Sequence, residues 1–261
     1  MESKNEQQGE CKYSLFTELK DNISHLYHDF FEDMKIDKRT GIVEGMNLRF
    51  TGFPYIGANY VTAPIKVLFI PLDTGKDECF KKNTYHSFKD REDIFPTGML
   101  DFNPHIAGMY ATSLYILRER MGYEAAWDTL WSYRDHKTAK AISMCAGSLP
   151  QDLMSYIAYE NRFRFVSIGR GFDEEGNEIQ ERGGNKDRRW VNPQRESEML
   201  LSEIDAFSPN IIVFQGKDGL WNCNINELKN KYKVVVAYHP SCWQRKADRL
   251  QYIVEHIYSQ L

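Results

Sequence analysis

The chain has 261 residues, of which 42% are hydrophobic and 13% aromatic, so it can bury the core of one large globular domain. A formal net charge of −4 excludes a surface that is basic throughout, so any contact with DNA must be a local patch. No run of residues has the apolar length of a membrane span, and the polar first ten residues lack the apolar core of a signal peptide. We therefore expect a cytoplasmic protein with no membrane partner and no obligate protein partner.

Hydrophobic periodicity predicts helices that alternate with strands. Apolar residues at spacings of three and four indicate helices, whereas short β-rich runs bounded by glycine or proline indicate strands. Asparagine followed by proline marks a helix start, because asparagine caps the helix and proline suits its first turn. The predicted elements are a disordered tail (1–12), a helical extension (13–60), a strand (65–70), a helix from 103, more helix (125–159), a strand (162–168), a helix from 192, strands (210–216 and 233–237) and a terminal helix (250–257).

A long charged segment, residues 169–191, follows the second predicted strand. Segments of this length inside a domain are typically functional or disordered. Its second half places Arg188 and Arg189 beside Trp190, a combination that suits a phosphate backbone. A solvated surface loop explains the same charges equally well.

The last predicted strand ends in His239, and Pro240 prevents it from continuing. Strands separated by helices imply a parallel sheet, and ligands bind at the carboxyl edge of such sheets. Gln215 ends the preceding strand at the same edge. His239 is therefore a candidate functional residue.

Cysteine and histidine spacing gives no metal-binding pattern. The five cysteines are odd in number and contain no C-x-x-C pair, and the seven histidines contain no H-E-x-x-H spacing. We predict no metal and no cofactor.

Three segments together resemble the uracil-DNA glycosylase superfamily. Residues 67–75, Val67-Leu-Phe-Ile-Pro-Leu-Asp-Thr-Gly75, resemble its first motif, written G-Q-D-P-Y or G-E-A-P-G. Residues 198–216 resemble the helix, proline and strand before its last motif, and His239-Pro-Ser-Cys-Trp-Gln-Arg245 resembles H-P-S or H-P-A-x-L-L-R. The resemblance implies a single domain over residues 13–261 with a three-layer α/β/α fold around a four-stranded parallel sheet. The cysteines of the iron–sulfur branch are absent.

The resemblance also implies the roles of the site residues. Glycosidic hydrolysis builds positive charge on the sugar and negative charge on the departing base. Asp73 would orient water and offset the positive charge on the sugar. His239 would donate a hydrogen bond to the base oxygen and offset the negative charge on the base. The other site residues expected are Leu72, Phe102, His105, Ser167 and Gln215 in the base pocket, and Ser241, Trp243, Arg245, Arg188 and Arg189 on DNA, with Trp243 as the wedge.

The departures from the family pattern bear on the substrate. Pro71 and Leu72 replace the first-motif glycine and the residue after it, and Ser167 to Gly169 stand where the family has a base-reading asparagine. A site without that reader discriminates poorly by hydrogen bonding. We therefore expect a DNA glycosylase for a modified or damaged pyrimidine, such as a bulky base of phage DNA in antiviral defence, that leaves an abasic site.

Four alternatives remain at this stage. An ordinary uracil-DNA glycosylase of base excision repair and a catalytically inactive nucleic-acid binder would share the same fold. A nucleoside or nucleotide hydrolase would use the same sheet edge. The D-T-G sequence at Asp73 also occurs in aspartic proteases, but the predicted helices argue against their all-β fold.

Overall fold

The computed structural model describes residues 2–72, 87–89, 91, 103–172, 175–182, 192–220, 223–239 and 249–261. Within these ranges helices and strands alternate. The α-helices are α1 (Glu2–Met34), α2 (Pro104–Met121), α3 (Glu124–Trp131), α4 (Thr138–Cys145), α5 (Pro193–Phe207), α6 (Ile225–Lys231) and α7 (Leu250–Tyr258). The strands are β1 (Leu48–Phe50), β2 (Tyr55–Ile56), β3 (Val67–Ile70), β4 (Ile157–Tyr159), β5 (Phe165–Phe172), β6 (Glu178–Arg182), β7 (Ile211–Gln215) and β8 (Lys233–Ala237).

The larger sheet has five strands in the order β2-β4-β3-β7-β8. Strands β4, β3, β7 and β8 are parallel to one another, and the short edge strand β2 is antiparallel to β4. The prediction of an α/β protein with a mainly parallel sheet is confirmed. The antiparallel strand at the edge is an addition to the predicted four.

Each face of this sheet is covered by helices, because successive side chains of a strand point to opposite faces. Val67 and Phe69 of β3 pack into a core with α2, α3, α4 and α7. Leu68 and Ile70 pack into a second core with α1, α5 and α6. We call these the α2 face and the α5 face. The arrangement is compatible with a three-layer α/β/α fold.

Both helix starts predicted from an asparagine and a proline are confirmed. The Asn103 side chain accepts from the backbone N–H groups of His105 and Ile106 at the start of α2. Asn192 caps α5 in the same way, through Gln194 and Arg195. Each cap satisfies amide groups that have no partner within the helix.

The prediction of the second parallel strand at residues 162–168 is wrong. The strand beside β3 is β4, which lies inside the region predicted as helix. Three residues after a single 3-10 turn (Leu153–Tyr156) are too few for a periodic signal. The alternation at 162–168 reflects strand β5 instead, which pairs with β1 and β6 in a separate antiparallel sheet.

Two segments predicted to lack regular structure contain some. Strands β5 and β6 pair antiparallel over the first part of the predicted charged loop, and Gly176 between them has φ 84°. At the amino terminus, α1 begins at Glu2 rather than after a tail of twelve residues. No helix in the described ranges is long and apolar enough to cross a membrane.

Candidate functional site

Polar residues follow the strands at the carboxyl edge of the parallel sheet. Tyr159, Phe69, Val213 and Val235 are in register across β4, β3, β7 and β8, and all four belong to the core on the α2 face. Since side chains alternate, residues two positions further along point to the same face. That row is Asn161, Pro71, Gln215 and Ala237, with His239 two positions beyond Ala237.

His239 lies against the start of α2. Its ring meets that of His105 edge to face, with 4.7 Å between the centroids and 88° between the planes. Gln215 joins the same group, because its Nε2 donates to the backbone oxygen of His105 over 3.2 Å. The structure therefore brings together three of the predicted site residues: His105, Gln215 and His239.

Gly216 allows the close approach of His239 to strand β7. A Cβ atom at this position would lie 3.3 Å from His239 Cδ2 and 3.4 Å from its Cβ. Gly216 also has φ 127°, a backbone conformation that side chains other than glycine rarely adopt. His239 is thus held between Gly216 and the His105 ring.

The pKa of His105 is lowered to about 4. Burial is the main cause, and the neighbouring His239 adds to it, whereas a side-chain hydrogen bond with Gln215 acts in the opposite direction. His105 is consequently neutral near pH 7. It contributes an uncharged ring beside His239, with nitrogens that donate and accept hydrogen bonds.

The backbone leaving β3 is fixed at this edge. Arg162 N–H donates to Pro71 O and Phe163 N–H donates to Leu72 O, each over 2.8 Å. Leu72, a predicted pocket residue, therefore lies beside the segment that follows β4. The next residue in the chain is Asp73, the predicted catalytic carboxylate.

Asn161 is a candidate that the sequence interpretation missed. It follows β4 on the α2 face, is 3% exposed, and its Nδ2 has no hydrogen-bond partner within the described part of the chain. A buried amide that lacks a partner is costly unless a ligand satisfies it. The signal was an asparagine just after the apolar residues 157–159, which was overlooked because that segment was predicted as helix.

The placement of Ser167 corrects one prediction. Ser167 lies in β5, opposite Leu48 of β1, and is buried in the antiparallel sheet. It was assigned to the base pocket because residues 162–168 were expected to pair with β3. Of the two strands that pair with β3, β4 is the one followed by an asparagine, Asn161.

The remaining predicted site residues lie outside the described residues. They are Asp73, Phe102, Arg188, Arg189, Ser241, Trp243 and Arg245. Their roles stay predictions. Within the described ranges, no group of three or more histidine, cysteine, aspartate or glutamate side chains has a geometry suited to a metal ion.

Comparison with known proteins gave no relative. No protein-family model matches the chain, and no curated protein is significantly similar to it. The resemblance to uracil-DNA glycosylases therefore rests on the three sequence segments alone.

Proposed function

We propose that this protein is a DNA glycosylase. It hydrolyses the N-glycosidic bond of a modified or damaged pyrimidine nucleotide that is flipped out of the helix, and it leaves an abasic site. In this reaction the bond between the base nitrogen and the sugar C1′ breaks, water oxygen binds C1′, one water proton ends on the departing base, and the other stays on the new C1′ hydroxyl. The DNA substrate is the only partner that the proposal requires.

The observation that carries the proposal is the group formed by His239, His105 and Gln215 at the carboxyl edge of the sheet. The edge of a parallel sheet is where ligands bind in open α/β proteins. A partly buried histidine there, fixed on two sides, meets the requirement of a preorganised donor to a departing base anion. Such a donor contributes about 3 kcal/mol to lowering a reaction barrier.

The neighbouring residues have chemistry that fits the same reaction. Neutral His105 places no charge beside His239. Asn161 supplies an amide that can read a base edge, and Asp73 follows the fixed residue Leu72 in the chain. In the proposal Asp73 orients water, while Ser241, Trp243 and Arg245 contact the DNA backbone and fill the vacated stack.

The position of Asn161 at the end of β4 bears on which base is removed. One reason to disfavour uracil was the absence of an asparagine at the end of the second parallel strand. That reason no longer holds, because β4, one of the two strands that pair with β3, is followed by Asn161. The proposal accordingly covers modified pyrimidines with uracil among them, and a bulky phage base remains a substrate to be tested.

A panel of oligonucleotides tests the proposal. Single-stranded and duplex DNAs carrying uracil, 5-hydroxymethylcytosine, a glucosylated hydroxymethylcytosine or an unmodified pyrimidine are incubated with the protein, and hot alkali then cleaves any abasic site. We expect strand cleavage at one or more modified bases and none at the unmodified one. Replacement His239→Ala should lower the single-turnover rate about 100-fold, in line with the loss of one oxyanion-type donor.

His25→Ala is the matched control, because His25 is an exposed histidine of α1. It should leave the rate unchanged. DNA binding without any abasic product from the wild-type protein would instead favour a catalytically inactive binder. Faster hydrolysis of free nucleosides than of DNA would favour a nucleoside hydrolase.

A further inference from the structure

A cluster of buried charged side chains lies on the α5 face, directly behind the candidate site. Glu160, which follows β4, and Glu203 of α5 are both fully buried, and Arg164 lies between them. Arg164 Nη2 is 3.4 Å from Glu160 Oε2 and also donates to Glu203 Oε2. We call Glu160, Arg164 and Glu203 the buried triad.

The same guanidinium reaches the backbone of the candidate site. Arg164 Nη1 donates to the carbonyl oxygen of Asn161. One side chain therefore links α5, through Glu203, to Asn161, whose buried Nδ2 has no hydrogen-bond partner in the described part of the chain. The hydrophobic packing of β4 does not by itself require this hydrogen bond.

The backbone around Asn161 also holds the exit of β3. Glu160 N–H donates to Phe69 O over 3.0 Å, and the next two bonds of this ladder join Arg162 to Pro71 and Phe163 to Leu72. A shift of the 160–163 segment would therefore move both Asn161 and the chain that leads into Asp73.

Burying three ionisable groups is expensive, and an apolar replacement is often as stable. Neighbouring groups only partly balance the cost. Around the triad lie Tyr27 of α1, Glu196 of α5 and Arg162, whose Nη2 contacts Ser197 Oγ at 3.1 Å. Because the buried triad is costly to bury and lies beside the candidate site, we infer that it has a function beyond stability.

We propose that Arg164 and Glu203 are positioning residues, which hold Asn161 and the backbone after β3 in the geometry that the candidate site requires. This inference rests on the proposed glycosylase function for its catalytic consequence. Its structural consequence, an ordered 160–163 segment, can be measured without any activity.

The two glutamates differ in their pKa shifts and in their contact with Arg164. Burial, followed by repulsion from Glu203, raises the pKa of Glu160 well above its usual range. Burial also raises the pKa of Glu203, but the charge of Arg164 and three hydrogen bonds oppose that increase. Glu203 is also the closer acceptor of Arg164 Nη2, because Glu160 Oε2 lies 3.4 Å from the same nitrogen, so Glu203→Gln should loosen Arg164 more than Glu160→Gln.

This difference gives a matched pair of variants, Glu203→Gln and Glu160→Gln. Amide hydrogen exchange measured by NMR would report on Glu160, Arg162 and Phe163, with the amides of β7 and β8 as an internal reference. In Glu203→Gln we expect exchange of the three amides to accelerate about tenfold more than exchange in β7 and β8, because loss of a buried partner opens this segment locally. In Glu160→Gln exchange of the three amides should change no more than exchange in β7 and β8 does.

Two further variants keep the test decisive. Arg164→Lys retains the buried charge, but its single ammonium group cannot span Asn161 O and both carboxylates. Exchange of the same three amides should therefore accelerate in Arg164→Lys, which takes the place of Glu203→Gln if that variant does not fold. Arg195→Gln removes the ion pair between α5 and Asp33 of α1 without touching the segment, so it should resemble the wild type. Uniform acceleration of all amides, or equal behaviour of the two glutamate variants, would overturn the inference.

The catalytic consequence is measured on whichever oligonucleotide the wild type cleaves. Glu203→Gln should lower the single-turnover rate about tenfold with an unchanged Kd for DNA, since positioning affects the reacting geometry rather than binding. An unchanged rate in a variant with accelerated local exchange would also overturn the inference. If the wild type cleaves no oligonucleotide, the proposed function fails, and the exchange measurements alone decide the positioning role.

Discussion

Glu160 and Asn161 are neighbours in the chain, yet they lie in opposite environments. Glu160 points to the α5 face, where it joins Arg164 and Glu203 in a fully buried group of charges. From the alternation of side chains along β4, we expect Asn161 on the α2 face, in the row that contains Gln215 and His239. The pleat of one strand end thus separates a charged support from a polar site.

The two regions differ in the kind of polar group they contain. The described residues of the candidate site are amides and imidazoles, and His105 is neutral at pH 7. Neutral dipoles cost less to bury than ions and can stabilise charge that appears only during a reaction. The charges of the buried triad lie on the α5 face. There they can fix the backbone without neutralising an anion that develops at the candidate site.

The largest effect on stability is expected at the buried triad. Arg164→Met removes the guanidinium that contacts both carboxylates of the triad, and leaves a buried anion without its partner. Breaking a buried ion pair in this way should lower the free energy of unfolding by about 3–5 kcal/mol. Urea unfolding at pH 7 measures this loss in the free energy of unfolding. His239→Ala should change the free energy of unfolding by less than about 1 kcal/mol, and equal losses in the two variants would contradict the separation of support and site.

The pH dependence of stability should distinguish the two regions next. His105 has its pKa lowered to about 4, so the unfolded chain binds more protons than the folded one below pH 6.5. Its contribution to stability is complete above that pH and is lost as pH falls toward 4. Between pH 7 and pH 5 the wild type should lose on the order of 2 kcal/mol more than His105→Gln, measured by urea unfolding at both values. Parallel losses in the two proteins would show that His105 is not buried as a neutral group.

Gly216→Ala tests the contact between β7 and His239. The new Cβ would meet His239 at 3.3 Å, and the φ of 127° is unfavourable for alanine, so the free energy of unfolding should fall by about 1–3 kcal/mol. The displaced His239 should also lower the single-turnover rate. Gly122→Ala is the control, because Gly122 has φ 71° but nothing within 4 Å of an added Cβ. A rate that falls equally in both variants would argue against a specific role for Gly216.

The pH dependence expected for Glu160→Gln has the opposite sign. A carboxyl group whose pKa is raised in the folded state stabilises the fold fully below its unfolded value, and this contribution is lost as pH rises toward the folded pKa. Glutamine does not titrate. The stability of Glu160→Gln relative to the wild type should therefore increase steadily from pH 5 to pH 8 in urea unfolding. A constant difference would mean that Glu160 is ionised throughout.

The sequence predicted the site best where local patterns determine structure. Strands β7 and β8 are apolar runs that end at Gly216 or lead to Pro240, so Gln215 and His239 could be assigned to one edge. The capping asparagines of α2 and α5 act on amides within their own first turn, so they were equally visible.

The buried triad could not be predicted in the same way. The segment 159–165 alternates uncharged and charged residues, a pattern typical of a strand with one solvated face. Its arginine is buried only because Glu203, 39 residues further along the chain, packs against it from α5. Asn161 was missed for a related reason, since β4 is recognised by its pairing with β3 and not by its three residues.

The most direct test of the central claim is the identity of the product released from modified DNA. Mass spectrometry of the small-molecule fraction, after incubation of each oligonucleotide with wild-type protein, distinguishes a free base from a nucleoside or nucleotide. The account predicts a free modified pyrimidine base, an oligonucleotide that has lost only that base, and a rate that falls about 100-fold in His239→Ala. Release of nucleosides or nucleotides, or of a free base at the same rate in His239→Ala, would contradict it.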